Sequence, residues 1–479
     1  MLTPVVRQIA HRFGALDHAL TSRKIHGGPI PRLGGVAIVL AFYAPLAALF
    51  FTSSEVGRRF FAEPQKVLGL FAGGLAIALL GVYDDLRGAD AKKKFAVQFA
   101  VAGFMYWIGF RIDHIANPFG PPIDLGWLGL PFTMLWVAGV INAMNLIDGL
   151  DGLAGGVALI AITTTFAFSV ARGEPLMVLF TAALAGAVLG FLFYNFNPAS
   201  IFMGDTGSMF LGFVLATTSV QTNQKSSTAV AIVVPIIALG VPIADTLLAM
   251  ARRAARGVPM FSADRGHIHH RLLASGLSHR QTVLVLYAAS TVLGVVALVL
   301  SFSRTRQATY VLLALAAAGF LALRQLGYFR LSQVQRVLAD RKKNVVRRRK
   351  LRRVGDALRA AGDLQDVWAA LRLGARVLGA RAVALHLPGD AIAHTRERTH
   401  GFDGAGPGLF RARYGVVPER PGEAQLELGW TGRTDVERDT EIAVEILCEY
   451  TAAALERIGR EADGGSEEVL TAVVNLRRR

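Results

Sequence analysis

The chain has 479 residues, of which 53% are apolar and 18% charged, and its mean hydropathy is +0.42. This composition excludes an ordinary soluble protein. The formal net charge is +16, but no groove-reading motif accompanies it, so we expect no nucleic-acid partner. The single cysteine, Cys448, excludes an intramolecular disulfide and a cysteine-based metal site.

The apolar residues are concentrated in runs of about twenty, which predict membrane-spanning helices. We place ten of them, near 33–52, 67–83, 95–112, 130–146, 153–171, 176–194, 208–223, 228–251, 282–302 and 307–324. The first twenty residues are polar and charged, so no cleavable signal peptide is expected. The sequence predicts an all-α polytopic membrane protein of about ten transmembrane helices (1–330), a basic linker (331–355) and a small C-terminal cytoplasmic α+β domain (356–479).

Lysine and arginine set the expected orientation in the membrane. The loops 1–32, 84–94, 252–281 and 324–353 together carry 27 basic residues, whereas the opposite loops carry 7. The first set is therefore expected in the cytoplasm, together with both termini. The acidic motifs described below all fall on this side. The site that they form is therefore expected to face the cytoplasm, with no carboxylate at mid-membrane depth.

Asp84 and Asp85 end the second predicted span. Carboxylates at a helix C-terminus oppose the helix dipole, so capping of that helix does not explain them. Neighbouring carboxylates can hold a cation, or one can act as a general base, and the alternative is a pair of solvated loop residues. Lysines 92–94 follow, and positive-inside charge explains most of them. Lys94 adjoins the next span and is the candidate for a phosphate contact.

Asn142, Asn145, Asp148 and Asp151 recur every three residues, a spacing that keeps side chains close together along a helix. The glycines that follow the two aspartates loosen the backbone and allow a ligand to approach. Two interpretations stay open. The polar groups form a network of hydrogen bonds between packed helices, or they line a pocket for a nucleobase, a ribose or a sugar.

Asn195 precedes the stretch FMGDTGS, in which Asp205 lies between two glycines. A glycine-rich turn with exposed amides suits a phosphate, and the carboxylate suits Mg²⁺. The alternative is an ordinary Asp-Gly turn.

The loop 252–281 contains His267, His269, His270 and several arginines, among them Arg265. A zinc site is disfavoured, because the adjacent His269 and His270 cannot readily reach one metal and no other ligand is near in sequence. A cationic lid over a diphosphate is the favoured interpretation.

The part after residue 331 begins with the basic linker, which is either a stop-transfer signal or a contact to anionic lipid head groups. Beyond it, 356–379 is predicted helical, Ala380–Leu387, Leu409–Val416 and Glu423–Trp430 are predicted strands, and Asp435–Ile458 is a predicted long helix. This pattern resembles a GAF-type sensor domain. Dimerisation, ligand sensing and docking of a following glycosyltransferase are its three open roles.

Taken together, the motifs resemble those of the polyprenyl-phosphate N-acetylhexosamine-1-phosphate transferase family. The similar stretches are RKIHGGPIPRLGG (23–35), GVYDDLRG (81–88), NAMNLIDGLDGLAGG (142–156), FNPASIFMGDTGSMFLGF (196–213) and DRGHIHHRLL (264–273). They cover roughly residues 5 to 325 in the order of the family. Members of the family have a further span ahead of the first stretch, so the resemblance leaves open whether one is missing from this chain.

The resemblance implies transfer of a sugar 1-phosphate from a UDP-sugar to a polyprenyl phosphate, with release of UMP and a need for Mg²⁺ or Mn²⁺. It implies Asp84 and Asp85 as the catalytic pair and Asp205 and Asp151 as metal ligands. The substrate-binding residues that it implies are Lys24, Lys94, Asn145, Asp148, Asn195, Arg265, His267, His269 and His270.

HIHH and the RK-x-H-x-x-PIPR pattern are similar to the branch of the family that uses UDP-GlcNAc. We therefore expect GlcNAc 1-phosphate transfer to undecaprenyl phosphate at the inner (cytoplasmic) membrane, as the start of a cell-envelope polysaccharide. The alternative within the family is the UDP-MurNAc-pentapeptide phosphotransferase of peptidoglycan synthesis. From other classes, the alternatives are an ion-coupled transporter and a non-catalytic membrane scaffold. The transporter is disfavoured because the acidic residues gather at one face and no inverted repeat is visible.

Overall fold

The computed structural model describes residues 2–12, 15–17, 30–51, 55–115, 123–224, 233–257, 266–303, 305–326, 328, 331–387, 398–400, 409–416, 424–432, 436 and 438–462. The chain divides into two compact units. The membrane unit comprises Met1–Met250 and Asp264–Phe329, and the C-terminal unit comprises Ala251–Ala263 and Arg330–Arg479.

The membrane unit is helical apart from two short β-ribbons. Its elements are α1 (Leu2–Arg12), β1 (Leu16–Asp17), β2 (Ile30–Pro31), α2 (Gly34–Ala48), α3 (Glu55–Phe60), α4 (Pro64–Arg87), α5 (Ala91–Ile108), β3 (His114–Ile115), β4 (Ile123–Asp124), α6 (Gly129–Ile147), α7 (Leu153–Arg172), α8 (Pro175–Asn195), α9 (Gly204–Gln224), α10 (Val233–Ala238), α11 (Gly240–Arg256, which runs on into the C-terminal unit), α12 (Ile268–Ala274), α13 (His279–Phe302) and α14 (Thr305–Gln325). Strand β1 pairs with β2, and β3 with β4, both antiparallel.

Within the described residues, seven helical segments are long and apolar enough to cross a membrane. They lie in α2, α4, α6, α7, α8, α13 and α14. The protein is therefore a multi-pass membrane protein, but the predicted count of ten spans is not confirmed. The three other predicted spans have identifiable differences. Helix α5 opens with three lysines, α10 and α11 are separate helices with a break at Leu239, and α9 is rich in polar residues.

Helix α9 can be polar because protein surrounds it. It packs against α2, α4, α6 and α7, and its side chains from Thr206 to Gln221 are almost all buried. Thr217 and Thr218 donate their hydroxyl hydrogens to backbone carbonyls one turn earlier in the same helix. A helix enclosed in this way does not need an apolar outer face, because other helices separate it from lipid.

The polar motifs gather at one end of the helix bundle. This end contains the C-terminal ends of α4, α6 and α8 and the N-terminal ends of α5, α7 and α9. At the other end of α5 and just before α6, Trp107 and Trp127 are 78% and 82% exposed, as expected for aromatic residues at a membrane–water interface. The two ends of the bundle therefore differ in chemistry.

The C-terminal unit contains α15 (Leu331–Ala360), α16 (Leu364–Val377), β5 (Ala382–His386), β6 (Arg398–His400), β7 (Leu409–Gly415), β8 (Gln425–Thr431) and α17 (Arg438–Ala462). Among the described residues, its four strands form an antiparallel sheet in the order β6-β5-β8-β7. Leu426, Leu428 and Trp430 of β8 pack into one apolar core with α15, α16 and α17. A small C-terminal α+β region is thereby confirmed.

Residues 331–355, predicted as a basic linker, lie within the single long helix α15. Leu351, Val354 and Leu358 of this helix are buried in the core of the C-terminal unit. The helix was not evident from the sequence, because its charged residues obscure the apolar positions that recur every three or four residues.

Candidate active site at one end of the bundle

Glycines bring the ends of α2, α4 and α9 into backbone contact, and we call this the glycine contact (Gly35, Gly81, Gly204 and Gly207). A methyl group at Gly81 would lie 2.3 Å from the Thr206 Cα, and one at Gly35 would lie 2.0 Å from the Gly207 nitrogen. Gly204 has φ +69°, which side chains disfavour. At Gly35 and Gly81 no larger residue fits without moving a helix.

Hydrogen bonds across the chain hold the same region together. The amides of Gly34 and Gly35 donate to the carbonyls of Phe202 and Met203 at 2.9 and 2.8 Å, and the Phe202 amide donates to the Pro31 carbonyl at 2.7 Å. The stretch IPRLGG (30–35) therefore runs beside FMGDTGS (202–208). This contact places Asp205 in the first turn of α9, where the helix dipole favours a carboxylate.

Lys94 contacts two of the predicted carboxylates. Its Nζ lies 2.5 Å from Asp84 Oδ2 and 2.6 Å from Asp205 Oδ2. The other Asp84 oxygen accepts a hydrogen bond from the Ala89 amide at 2.5 Å. The side chains of Asp84, Lys94 and Asp205 are 9%, 21% and 24% exposed, so all three retain some access from outside. Two carboxylates and an ammonium thus form a compact charged cluster.

Asp85 points instead at the backbone of α9. Its Oδ1 accepts a hydrogen bond from the Asp205 amide at 2.9 Å. Its Oδ2 accepts hydrogen bonds from the Thr206 amide at 3.0 Å and the Thr206 hydroxyl at 2.6 Å. The Nε of Arg32 lies 3.8 Å from Oδ1, and the Asp85 side chain is 0% exposed.

Helix α6 ends at Ile147, so the three-residue spacing that starts at Asn142 does not continue on one helix. Asn145 is on α6 and donates from Nδ2 to the Ser208 hydroxyl at 3.0 Å. Asp148 is at the C-terminal cap of that helix. Burial, and after it repulsion from Asp205, Asp85 and Asp151, raises the pKa of the Asp148 carboxyl to about 8. The four carboxylates therefore lie close enough to interact.

Asp151 and Asn195 connect the turn after α6 to the stretch after α8. The Oδ2 of Asp151 accepts hydrogen bonds from Asn197 Nδ2 and the Ala199 amide, both at 3.0 Å. Asn195 is 3% exposed. Its Oδ1 accepts from the Gly152 amide at 3.1 Å, and its Nδ2 donates to the Ile201 carbonyl at 3.0 Å. Both ends of the predicted substrate-binding amide therefore contact backbone.

The histidines lie at the start of α12, beside the turn that follows α6. His267 Nδ1 lies 2.8 Å from Asp245 Oδ2, and Asp245 Oδ1 accepts from the Ile268 amide at 2.8 Å. The rings of His267 and His269 stack at 5.7 Å, and those of His269 and His270 lie 4.3 Å apart. Both carboxylate oxygens of Asp245 therefore hold the start of α12 in place.

His269 lies against the turn that follows Asp148. A methyl group at Gly149 would lie 2.8 Å from its Nε2. Burial, and after it repulsion from His270, lowers the pKa of His269 to about 3, so this ring is neutral at physiological pH. Its Nδ1 has no hydrogen-bond partner in the part of the chain that the structure describes.

Two predicted residues, Lys24 and Arg265, lie outside the described residues. Sequence reasoning also missed residues that the structure places at the site. Thr206 and Arg32 lie inside motifs that were recognised, so their position was available. Tyr287 of α13, whose hydroxyl donates to the Gly152 carbonyl at 2.5 Å, lies in an ordinary apolar span and had no sequence signal.

The carboxylates at this end of the bundle are candidate ligands for a divalent cation. Within the described residues, no group of three or more His, Cys, Asp or Glu side chains is arranged to hold a metal ion. Mg²⁺, however, is commonly held by one or two carboxylates together with water and substrate phosphates. Asp84 and Asp205 provide such a pair of hard oxygen donors, already gathered around the positive charge of Lys94. The residues therefore fit Mg²⁺ or Mn²⁺ of that kind.

The chain is similar in sequence to known proteins. The sequence profile described as Glycosyl transferase family 4 matches residues 67–223, which contain Asp84, Lys94 and Asp205. The chain is 41% identical over 302 residues to a probable undecaprenyl-phosphate N-acetylglucosaminyl 1-phosphate transferase of Bacillus subtilis, across 63% of this chain and 81% of that relative. The chain belongs to this transferase family. The family suggested by the five motifs is thereby confirmed.

Other relatives in the family are more distant. A decaprenyl-phosphate N-acetylglucosaminephosphotransferase of Mycobacterium tuberculosis is 35% identical over 311 residues, which is 60% of this chain and 75% of the relative. An undecaprenyl-phosphate alpha-N-acetylglucosaminyl 1-phosphate transferase of Escherichia coli is 27% identical over 303 residues, which is 62% of this chain and 79% of the relative. Each match therefore spans most of the relative but less than two thirds of this chain.

Proposed function

We propose that the protein transfers N-acetylglucosamine 1-phosphate from UDP-GlcNAc to undecaprenyl or a similar polyprenyl phosphate, releasing UMP. The observation that carries this proposal is the cluster of Asp84, Lys94 and Asp205 inside the segment that matches the family profile. The names of the relatives agree on a polyprenyl phosphate and on N-acetylglucosamine. The product is the lipid-linked sugar diphosphate that starts cell-envelope polysaccharide synthesis.

The reaction requires two anionic phosphates to meet. Asp205, with Asp84 beside it, would hold Mg²⁺ or Mn²⁺, and a bound divalent cation would offset the repulsion between the two phosphates. Asp151 remains the predicted second ligand. Lys94 offers a further positive charge within 2.6 Å of Asp205, so it can exchange its carboxylate contacts for a phosphate contact when the substrates bind.

The bonds that change are both phosphorus–oxygen bonds. An oxygen of the lipid phosphate attacks the β-phosphorus of the UDP-sugar, and the bond from that phosphorus to the oxygen shared with the α-phosphorus breaks. UMP leaves with that oxygen, and the sugar keeps its own bond to phosphate. The protein mainly positions reactants and stabilises charge, as is general for phosphoryl transfer. The pair Asp84–Asp85 is the predicted source of the group that orients or deprotonates the lipid phosphate.

We place the site on the cytoplasmic side of the inner membrane. The excess of basic residues in the loops at this end supports that orientation. A water-soluble nucleotide sugar and a lipid-bound acceptor can meet there without either one crossing the membrane. The neutral ring of His269, close to the turn after Asp148, fits a hydrogen-bonding role in the predicted lid over the diphosphate.

The test uses purified full-length protein in lipid nanodiscs with UDP-GlcNAc, undecaprenyl phosphate and Mg²⁺. We expect UMP release together with a lipid-linked GlcNAc diphosphate, and loss of both products after chelation or in Asp205→Asn. Mn²⁺ should restore activity after chelation. If UMP appears only with UDP-MurNAc-pentapeptide, the donor is assigned wrongly. If no nucleotide sugar is turned over, the proposed function is wrong.

A further inference from the structure

The Asp84–Asp85 pair divides into two residues with different surroundings. Asp84 contacts Lys94 and retains some exposure, whereas the Asp85 side chain is fully enclosed. We propose that Asp85 is a positioning residue that holds the N-terminus of α9, and that it does not contact either substrate. This proposal rests on the proposed function, because the group being positioned is Asp205.

The contacts of Asp85 are those of a helix cap supplied by a neighbouring helix. The first amides of an α-helix have no partner within the helix. Helix α9 begins at Gly204, and Asp85 accepts the amides of Asp205 and Thr206 and also the Thr206 hydroxyl. A carboxylate in this position is additionally stabilised by the helix dipole. The Asp85 side chain thus gives α9 the N-terminal partners that it would otherwise lack.

The geometry around Asp85 shows how this cap fixes the catalytic carboxylate. Gly81 lies one turn before Asp85 on the same face of α4, and a methyl group there would meet the Thr206 Cα. A methyl group at Gly204 would lie 2.6 Å from Asp85 Oδ2. Close approach at Gly81 and hydrogen bonds at Asp85 therefore fix the backbone of Asp205 relative to Asp84 and Lys94.

The same geometry argues against Asp85 as the general base. A general base must lie within hydrogen-bond reach of the proton that it removes. Both Asp85 oxygens already accept hydrogen bonds from α9, and none of the side chain is exposed. A phosphate could reach Asp85 only if α9 moved, and such a movement would displace Asp205 as well.

A double-mutant cycle tests the proposal in the full-length protein, with wild-type turnover established first. Asp85→Asn replaces one acceptor oxygen with a donor that faces an amide, and Thr206→Val removes the hydroxyl. We expect each variant to lower kcat about tenfold or more and the double variant to be no worse than Asp85→Asn within about threefold, because both act on one contact. Thr206→Ser should restore activity, and the pH profile of kcat in Asp85→Asn should keep its wild-type shape. An Asp85→Asn variant that loses the acidic limb of the profile, while Thr206→Val is fully active, would overturn the proposal.

A second measurement does not depend on turnover. Hydrogen–deuterium exchange of the amides at the start of α9 should speed up about tenfold or more in Asp85→Asn, because they lose their acceptor. The matched control is Asp84→Asn, since Asp84 contacts Lys94, whereas both of these amides donate to Asp85. Unchanged exchange in Asp85→Asn would refute the positioning role even if the wild-type protein turned over no substrate. Failure of the proposed function alone would leave the exchange result as predicted.

A separate feature of the C-terminal unit carries a second proposal. Helix α15 contains eleven Lys and Arg residues against two Asp. Its apolar side packs into the core of the unit, while the basic residues Lys343, Arg349, Lys350, Arg352 and Arg353 are exposed. Within the described part of the chain, no ion-pair partner lies beside Arg349, Lys350, Arg352 or Arg353.

We infer that this basic face lies against the anionic phospholipid head groups of the membrane. Five residues of chain separate the membrane helix α14 from α15, so the basic helix begins close behind a membrane span. Basic residues near an anionic membrane surface contribute about 1 kcal/mol each. Exposed Val345 and Val346, at 44% and 49%, add apolar side chains of the kind that enter the head-group region.

The test places a fluorophore at Val346→Cys in a Cys448→Ser background, in full-length protein in nanodiscs whose lipids carry a head-group quencher. We expect strong quenching with phosphatidylglycerol present, and weak quenching in phosphatidylcholine alone or at high salt. We expect less quenching in the triple variant Arg349→Gln/Arg352→Gln/Arg353→Gln. Quenching should be unchanged in a control that replaces three arginines outside α15, Arg372→Gln/Arg376→Gln/Arg381→Gln. Equal quenching in both lipids would overturn the proposal. Binding of RNA by the basic face, in place of lipid, would also overturn the proposal.

Discussion

Replacing Asp148 with asparagine should stabilise the protein at neutral pH. An aspartate in an unfolded chain loses its proton near pH 3.9, whereas burial raises the pKa of Asp148 in the folded protein to about 8. Between these pH values the folded state holds a proton that the unfolded state lacks, so stability falls as pH rises through this window. Asparagine has the shape of the neutral acid and cannot ionise, so this loss disappears.

The size of the effect follows from the pKa difference. At 1.36 kcal/mol per pKa unit, a carboxyl that stays protonated at pH 7 costs on the order of 4 kcal/mol of folding free energy. In thermal terms this is a rise in the midpoint of several degrees for Asp148→Asn at pH 7. The difference should shrink steadily as the pH is lowered and vanish near pH 4, where the unfolded aspartate is protonated too.

The assay is thermal unfolding in detergent, without divalent cations, over a series of pH values. Asp205→Asn serves as a comparison, because Asp205 contacts Lys94 and its neutralisation should lower the midpoint. A midpoint difference for Asp148→Asn that does not change with pH, or a variant less stable than wild type at pH 7, would refute the reasoning. If Asp148→Asn is more stable but turns over more slowly, the titratable proton of Asp148 is used in the reaction.

Three further predictions concern neighbouring residues. Lys94→Met should lower turnover about tenfold to a hundredfold. It should also lower the Mg²⁺ concentration that gives half-maximal UMP release, because Asp84 and Asp205 lose the cation that competes with Mg²⁺. An unchanged Mg²⁺ requirement would contradict this prediction. Gly81→Ala should reduce both activity and thermal stability, since its methyl group would meet Thr206, whereas Gly103→Ala, with nothing within 4 Å, should do neither. Asn195→Ala should destabilise the protein by roughly 2 to 4 kcal/mol by leaving two buried backbone groups unpaired, measured as a lower melting midpoint. A change in KM without a change in midpoint would instead assign Asn195 to substrate.

The sequence was sufficient where the signal was local. Long apolar runs indicated the membrane helices, and the strands predicted near 380–387, 409–416 and 423–430 correspond to β5, β7 and β8. The direction of the chain and the charge of the loops were enough to predict that one end of the bundle contains Asp84, Lys94 and Asp205.

The sequence was insufficient where the partner lies on another helix. Asp85 was correctly excluded as a cap of α4, because a carboxylate there opposes the dipole of that helix. The sequence did not show that Asp85 instead contacts the N-terminus of α9, 120 residues away. The sequence did not indicate the contacts of Asn195 for the same reason, because both ends of its amide contact backbone that only the fold brings near. The number of membrane spans could not be read from the sequence for a similar reason. Hydropathy cannot distinguish a helix enclosed by protein, such as α9, from one that faces lipid.

The glycine contact has a consequence for inhibition. Helices α4 and α9 touch there through backbone atoms, so a small molecule that entered between them would push Asp205 away from Lys94 without resembling either substrate. Such a compound would lower the maximal rate and leave the apparent affinities for nucleotide and lipid unchanged. Resistance would then arise at Gly81 only with loss of fitness, because a side chain added there separates α4 from α9.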